Sequence, residues 1–489
     1  MQRSVSLIVS SFVYPTALKP DKGRLMSKIT FFGATGTVTG SRFLLDVRGR
    51  KILVDCGLFQ GLKANRLKNW DPFPFPPAEI ERVFLTHAHI DHSGYLPRFC
   101  KEGFSGSVHC THATADLCEI LLRDSAHIHE EDAKWANKKG FSRHKPALPL
   151  YTADDAEKAL SLFNPIYYGE HFKIGDEIRV KLKDAGHMLG SSFVDIKAAE
   201  NGASRKIFFC GDFGRPDRPL MSDPVQAFNV DYLVLESTYG SRLHENVSAE
   251  DELARVIHES VNRGGVLVIP AFSVGRSQIL LYMIRELEEK GKIRSMPIYM
   301  DSPMAINATG IFEKHIASLD LTARAKILEG KKILHPKQLT FCKSTKDSKA
   351  INEIRGKAII ISASGMVNGG RILHHMVQRL PHAQNTILFI GYQAEGTRGR
   401  HILEGAETVK IHGRQVPVGA KIENIQGFSG HPDSNEIIAW LMGFNKPPEK
   451  TFVVHGEPES SAALAQRIRD KFGWKVEVPE FGQSFELVL

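Results

Sequence analysis

From Lys28 onward, short apolar runs alternate with polar stretches. Lys28-Ile-Thr-Phe-Phe, Phe43-Leu-Leu-Asp-Val, Lys51-Ile-Leu-Val-Asp and Arg82-Val-Phe-Leu-Thr follow one another quickly and read as strands. The last two end in a polar residue where a loop begins. Residues 115–135 read as a helix with an acidic patch at Glu130, Glu131 and Asp132. Further strands are predicted at Ile178–Leu182, Phe193–Ile196, Lys206–Cys210 and Tyr232–Glu236. After Glu236 the rhythm becomes strand, helix, strand. Val266-Leu-Val-Ile leads to a helix over Ser277–Lys290 that stops at Gly291, and Pro297-Ile-Tyr-Met, Ala358-Ile-Ile-Ile-Ser and Thr386-Ile-Leu-Phe-Ile continue the series. Such alternation predicts a doubly wound parallel sheet. Thr451-Phe-Val-Val, leading into His455, returns to the first style.

Composition narrows the class. The 489 residues are 42% hydrophobic and 24% charged, the balance of a soluble globular chain of two or three domains. No run approaches the ~20 apolar residues of a membrane span. Six cysteines form no C-x-x-C pair, so reduced thiols and a cytoplasmic location are expected. Residues 1–25 read as an N-terminal extension, poorly ordered, ahead of a first strand near Lys28. The net charge of +8 is unevenly spread: Ser241–Phe428 holds 26 Lys and Arg against 18 Asp and Glu, and the rest of the chain is balanced. A confined basic surplus suggests a polyanion-binding surface, with a solvated lysine-rich face as the alternative.

The densest chemistry is Thr86-His87-Ala88-His89-Ile90-Asp91-His92-Ser93-Gly94, directly after a predicted strand. Three histidines and an aspartate within six residues cannot all be satisfied in an apolar interior. Imidazole nitrogens and carboxylate oxygens at this density suit divalent metals, zinc above all. One loop can direct His87 and His89 at one ion, and Asp91 and His92 at a second.

This H-x-H-x-D-H pattern resembles the signature of the metallo-β-lactamase superfamily. Asp55, ending the strand Ile52-Leu-Val-Asp, resembles its first motif, whose aspartate orients the ligand loop. His187 in Ala185-Gly-His-Met-Leu-Gly-Ser resembles the third, completing the first metal site, and Asp212 in Cys210-Gly-Asp-Phe-Gly the fourth, bridging both ions. The remainder is similar to the β-CASP nucleases from Lys28 to Leu489. Glu236 in Leu235-Glu-Ser-Thr-Tyr-Gly resembles motif A, His431 in Gly427-Phe-Ser-Gly-His-Pro-Asp motif B, and His455 in Val453-Val-His-Gly-Glu motif C. Pro270-Ala-Phe-Ser-Val-Gly-Arg, Ser362-Ala-Ser-Gly-Met and Gly391-Tyr-Gln-Ala-Glu-Gly-Thr add matches. The chain also resembles, specifically, the compact bacterial members related to the cleavage-and-polyadenylation endonuclease.

The resemblance implies an α/β architecture: a metallo-β-lactamase αββα sandwich from residues 26–240 and 428–489, with a Rossmann-like β-CASP domain of 241–427 inserted. It implies a zinc-dependent ribonuclease with two Zn²⁺ per chain, hydrolysing RNA phosphodiester bonds through a dimetal-bound hydroxide. The cut is endonucleolytic, with a 5′→3′ exonucleolytic mode open at the same site. A histidine in motif C accompanies RNA substrates in this family, and His455 would also be a fourth ligand to the second metal. His431 is the expected acid, held by Glu236; with Asp55 and Asp91 these are the residues on which turnover should depend. Single-stranded RNA is the expected partner, no membrane is involved, and a homodimer is compatible with this reading. Arg276, Arg398 and Arg400 lie beside predicted strand ends and are candidates for phosphate contacts. Ser364 and Arg371, in loops after another strand, are candidates as well. Two rival classes are a small-molecule hydrolase of the same superfamily and a non-catalytic RNA-binding scaffold. The first does not need a long basic insert, and the second does not need all seven ligand positions. The Gly33–Gly40 loop reads as a tight turn near the site, His127–Asp132 as a solvated helix face, and His374, His375 and His401 as lacking a ligand-like setting.

Overall fold

The computed structural model describes residues 26–140, 142, 144–200, 203–244, 247–391, 393 and 396–489. The N-terminal extension and part of the Gly391–Thr397 motif lie outside them.

Two sheets face each other. The first has the order Ser484–Leu487, Ser27–Phe31, Phe43–Val47, Arg50–Val54, Arg82–Phe84, Ser107–His109. The second runs Val476–Glu477, Lys450–Val454, Tyr232–Glu236, Ala203–Phe209, Ser192–Glu200, Ile178–Asp184, Phe172–Ile174. Strand alternation builds the layers. Ile178, Val180 and Leu182 turn inward with Ile29, Phe31, Ile52, Val54, Phe209, Val234 and Phe452 to fill the space between the sheets. Residues of opposite parity serve the outer faces. Phe208, Leu233, Leu235 and Val453 pack under the helices Ser434–Met442 and Pro458–Phe472. Leu44, Leu53 and Val83 pack under helices on the other side, chief among them His112–Lys139. That helix is capped at its start by the Thr111 side chain, which accepts from the Thr114 N–H, and it ends at Gly140 in the left-handed conformation. The result is an αββα sandwich.

The third sheet is wholly parallel, in the order Leu339–Phe341, Ile298–Met300, Ala358–Ser362, Val266–Pro270, Thr386–Phe389, Lys421–Asn424. It is buried on both faces, as parallel sheets are. Val266, Val268, Ile360, Ile387 and Phe389 face one core. Leu267, Ile269, Ile359, Ile361 and Leu388 face another, which continues into the outer layer of the sandwich where His112–Lys139 meets the helix Pro303–Lys314. This is the doubly wound unit predicted from the strand–helix rhythm. The edge strands Leu339–Phe341, Lys421–Asn424 and Ser484–Leu487 had no sequence signal because each is short and partly polar. The His127–Asp132 run is solvated only in part. His127 is exposed, but His129 packs edge-on against Tyr151 at 4.8 Å, and Glu130 accepts from the Ala153 N–H.

Candidate metal centre

Six loops that carry candidate site residues leave the sandwich at one edge because the strands before them run in a common direction within each sheet. Asp55 follows Arg50–Val54 and the His87–His92 loop follows Arg82–Phe84, two parallel neighbours. Asp212, Glu236 and His455 end or follow Ala203–Phe209, Tyr232–Glu236 and Lys450–Val454, which are also parallel. His187 follows Ile178–Asp184, two antiparallel steps away and therefore pointing the same way. The loops can converge because glycine lets backbones touch. A Cβ on Gly57 would lie 1.6 Å from the Asp91 carbonyl oxygen, and one on Gly430 would lie 2.8 Å from Arg276 Nη2 and 3.2 Å from His187 Cε1. The Gly33–Gly40 turn does border the site: the carbonyl of Ala34 accepts from the His455 N–H at 2.7 Å.

Asp55 holds the ligand loop in place. Its carboxylate is fully buried and accepts from the Thr86 N–H at 2.7 Å, the Thr86 hydroxyl at 2.9 Å and His92 Nδ1 at 2.8 Å. His92 thereby presents Nε2 inward. The Thr86 hydroxyl also lies 3.0 Å from His87 Nδ1, which turns His87 Nε2 inward too.

The inward atoms form two groups, each with its ligand atoms within 4.8 Å of one another: His87, His89, His187 and Asp212, and Asp91, His92 and His455. Asp212 stands between them. Its Oδ2 is 3.6 Å from His87 Nε2 and 3.7 Å from His187 Nε2, while its Oδ1 is 3.3 Å from His92 Nε2 and from His455 Nδ1. Two polar groups in this cluster have unmet needs. Both ring nitrogens of His187, and Oδ1 of Asp212, are buried without a hydrogen-bond partner among the described residues. Orphaned polar atoms of this kind cost about 1–3 kcal/mol each, and a cation bound by the unprotonated nitrogen of His187 and by Asp212 Oδ1 removes that penalty for these two atoms. The donor set of imidazoles and carboxylates fits zinc.

The electrostatics agree. Burial holds His87 and His187 well below the ordinary histidine range, reinforced by neighbouring imidazoles, and brings His89 down to about 4. These rings are neutral and ready to bind metal. Burial would raise the Asp212 carboxyl, but His455, His92 and His431 outweigh it and keep the group ionised, well below its usual value.

His431 stands at the rim. Its Nδ1 is 3.1 Å from Glu236 Oε2 and its Nε2 is 3.9 Å from Asp212 Oδ2. Burial opposes its charged form, yet Glu236 and then Asp212 raise its pKa above the ordinary value. Glu236 is in turn fixed by the Phe213 N–H at 2.9 Å.

Models of three protein families match the chain: the metallo-beta-lactamase superfamily over residues 36–253, the Beta-Casp domain over 277–402, and the Zn-dependent metallo-hydrolase RNA specificity domain over 415–479. A ribonuclease of Thermus thermophilus is 34% identical over 458 residues, which cover 94% of this chain and 99% of that protein. The chain belongs to the β-CASP family of metallo-β-lactamase hydrolases. Among its relatives is the transcription termination factor FttA of Methanocaldococcus jannaschii, 30% identical over 94% of this chain and 71% of that protein. A crystal structure of a protein of unknown function from Enterococcus faecalis V583 shares the fold, with a TM-score of 0.54 at 12% identity, covering 94% of this chain and all of that one.

Of the expected phosphate-contact residues, this β-CASP chain keeps Arg276 beside the centre, where its guanidinium carries no hydrogen bond or ion pair among the described residues. Three other arginines bond within their own domain. Arg371 is committed to Asp301 and to the carbonyls of Cys342 and Lys343, Arg398 to the carbonyls of Lys410, Val367 and Asn368, and Arg400 to Glu404. Their strand-end positions were legible, but their hydrogen-bond partners were not. Ser364 is half-buried: its hydroxyl accepts from the Asn368 N–H at 3.0 Å and closes its own turn. His375 also has a partner, Asp301 at 2.7 Å.

Sequence reasoning missed Arg218. Half-buried in the loop after Asp212, it donates to the carbonyls of Gly427, Phe428 and Ser429 at 2.7, 2.8 and 2.5 Å, and so clamps the loop that carries His431. His244 adds a further hold, with its Nε2 3.0 Å from the His431 carbonyl. Neither lies in a patterned stretch that would mark it. Among the described residues, no helix is long and apolar enough to cross a membrane.

Proposed function

We propose that this chain is a zinc-dependent ribonuclease that cuts single-stranded RNA internally, with a 5′→3′ exonucleolytic mode at the same site. The observation that carries the reading is the His431–Glu236 pair, with His431 Nε2 3.9 Å from Asp212 Oδ2 and turned toward a cluster with candidate ligands for two ions. His87, His89, His187 and Asp212 would hold one zinc, and Asp91, His92 and His455 the other, with Asp212 shared. Bound there, the pair of ions supplies neutralisation of charge on a phosphate oxygen and lowers the pKa of water towards neutrality. Asp55 sets the angle of the ligand loop. Arg276, without a hydrogen bond or ion pair among the described residues and next to His187, suits a non-bridging phosphate oxygen of the substrate. His431 gives the proton at Nε2 to the departing ribose oxygen, while Glu236 accepts from Nδ1–H and favours the charged ring. The products are a 5′-phosphate and a 3′-hydroxyl. The domain division at 26–240, 241–427 and 428–489 belongs to this proposal, as does the cytoplasmic location.

Support for RNA comes from the name of the Thermus thermophilus relative, from the RNA specificity model over 415–479 and from the histidine at position 455. The test uses zinc-loaded protein on 5′-labelled single-stranded RNA beside the matching DNA. RNA cut internally, DNA spared and an inactive Asp91→Ala variant are the expected results; equal cutting of DNA overturns the substrate assignment. His431→Ala should keep both zincs and lose about 100-fold or more in turnover. Loss of zinc from that variant would instead make His431 a ligand.

A further inference from the structure

Most of the chain's net charge lies in one stretch: residues 321–357 hold ten Lys and Arg against three Asp and Glu. This stretch wraps the edge strand Leu339–Phe341 of the parallel sheet. The direction of the strands sorts its cations to two ends. Lys332, Lys337 and Lys357 come before strands, and the Lys337 N–H donates to Glu288 at the far end of the helix Arg276–Glu289. Lys343, Lys346 and Lys349 follow the edge strand, at the opposite end. All three are exposed, and none has an ion pair among the described residues. Asp347, the carboxylate among them, is engaged by the Ser344 N–H at 2.9 Å in a capping box.

That second end is the one that meets the metal centre. A line of contacts runs along it. Arg276, after Val266–Pro270, lies against Gly430, and Gly365, after Ala358–Ser362, lies against Phe272. Arg371 then reaches Asp301 and the Lys343 carbonyl, and Ser348 donates to Asp301 Oδ2 at 2.6 Å. Three strand spacings separate Val266–Pro270 from Leu339–Phe341, or about 14 Å. Lys343, Lys346 and Lys349 therefore extend a basic line that begins with Arg276.

We propose that these three lysines form an outer track for the sugar–phosphate backbone of single-stranded RNA whose scissile bond lies at the metal centre; the track rests on the ribonuclease reading. Flexible point charges suit phosphates without regard to sequence. A protein partner would need apolar anchors. Among the described residues, no large hydrophobic side chain is exposed between Leu328 and Met442.

The test compares the triple variant Lys343→Gln, Lys346→Gln, Lys349→Gln with a charge-matched control at the opposite end, Lys332→Gln, Lys337→Gln, Lys357→Gln. Zinc-loaded proteins are assayed on RNA of about 20 and about 4 nucleotides over a range of salt. The track variant should raise KM for the long RNA at least about tenfold at low salt and lower the slope of log(kcat/KM) against log salt by about 2. Its kcat, and its action on the short RNA, should be unchanged, and the control should behave as the parent. Equal effects of both triples, or none from either, overturn the track. If the parent cuts no RNA, the ribonuclease reading fails by itself. Binding of uncut RNA to the two triples then still decides the track: selective weakening in the first supports it, and equal binding overturns it.

Discussion

At the scale of single residues, the pairing of His431 with Glu236 makes the pH dependence of turnover a direct probe. On the proposed reading His431 is the acid and must carry a proton, so kcat should fall as pH rises through its pKa, which Glu236 raises above the ordinary histidine value. Glu236→Gln removes the negative charge and keeps an acceptor for the Phe213 N–H. The ring then loses its proton more easily, and the alkaline limb of kcat should move to lower pH. A pH–rate profile with an unmoved limb would show that Glu236 does not set this pKa. Gly430 gives a second probe, because a Cβ there meets both Arg276 and His187. Gly430→Ala should therefore lower turnover and zinc affinity together, measured by kinetics and by metal titration of the same preparation.

At the scale of elements, the loop 427–431 has little structure of its own beyond one short turn, and Arg218 holds its carbonyls from across the site. Arg218→Ala removes three charged hydrogen bonds, and a displacement of His431 by even 1 Å can cost about 100-fold. The loss should appear only where the leaving group needs a proton. RNA cleavage should fall, while hydrolysis of a nucleotide p-nitrophenyl ester, whose leaving group departs unassisted, should stay near the parent rate. Equal loss on both substrates would mean that Arg218 supports the fold at large. This dependence also explains what the sequence could reveal. The candidate ligands could be picked out because they recur at fixed spacing after strands, as in His87–His92, and the insert was legible because two-sided burial makes its strands continuous apolar runs. Arg218 left no trace, since its partners are backbone carbonyls more than two hundred residues away. The partners of Arg371, Arg398 and Arg400 were hidden for the same reason: a strand-end arginine looks alike whether it faces solvent or is bound to its own fold.

At the scale of the whole molecule, the question is whether metal stabilises one unit or the entire chain. The ligands lie at one edge of the sandwich, yet one core runs without a break from Leu53 and Leu117 to Leu267 and Ile359 of the parallel sheet. Lys314 and His315 also bind Asp116 across that junction. A shared core of this size makes separate melting of the two units costly, because either one would expose it. Calorimetry of the zinc-loaded protein should then give a single transition. An ion present at 100 times its dissociation constant contributes about 2.7 kcal/mol. Spread over the unfolding entropy of the full chain, that is a shift of about 3 °C for each ion removed by chelation. Two transitions, with only one sensitive to chelator, would show instead that the continuous core does not couple the units, and that the sandwich alone answers to its metals.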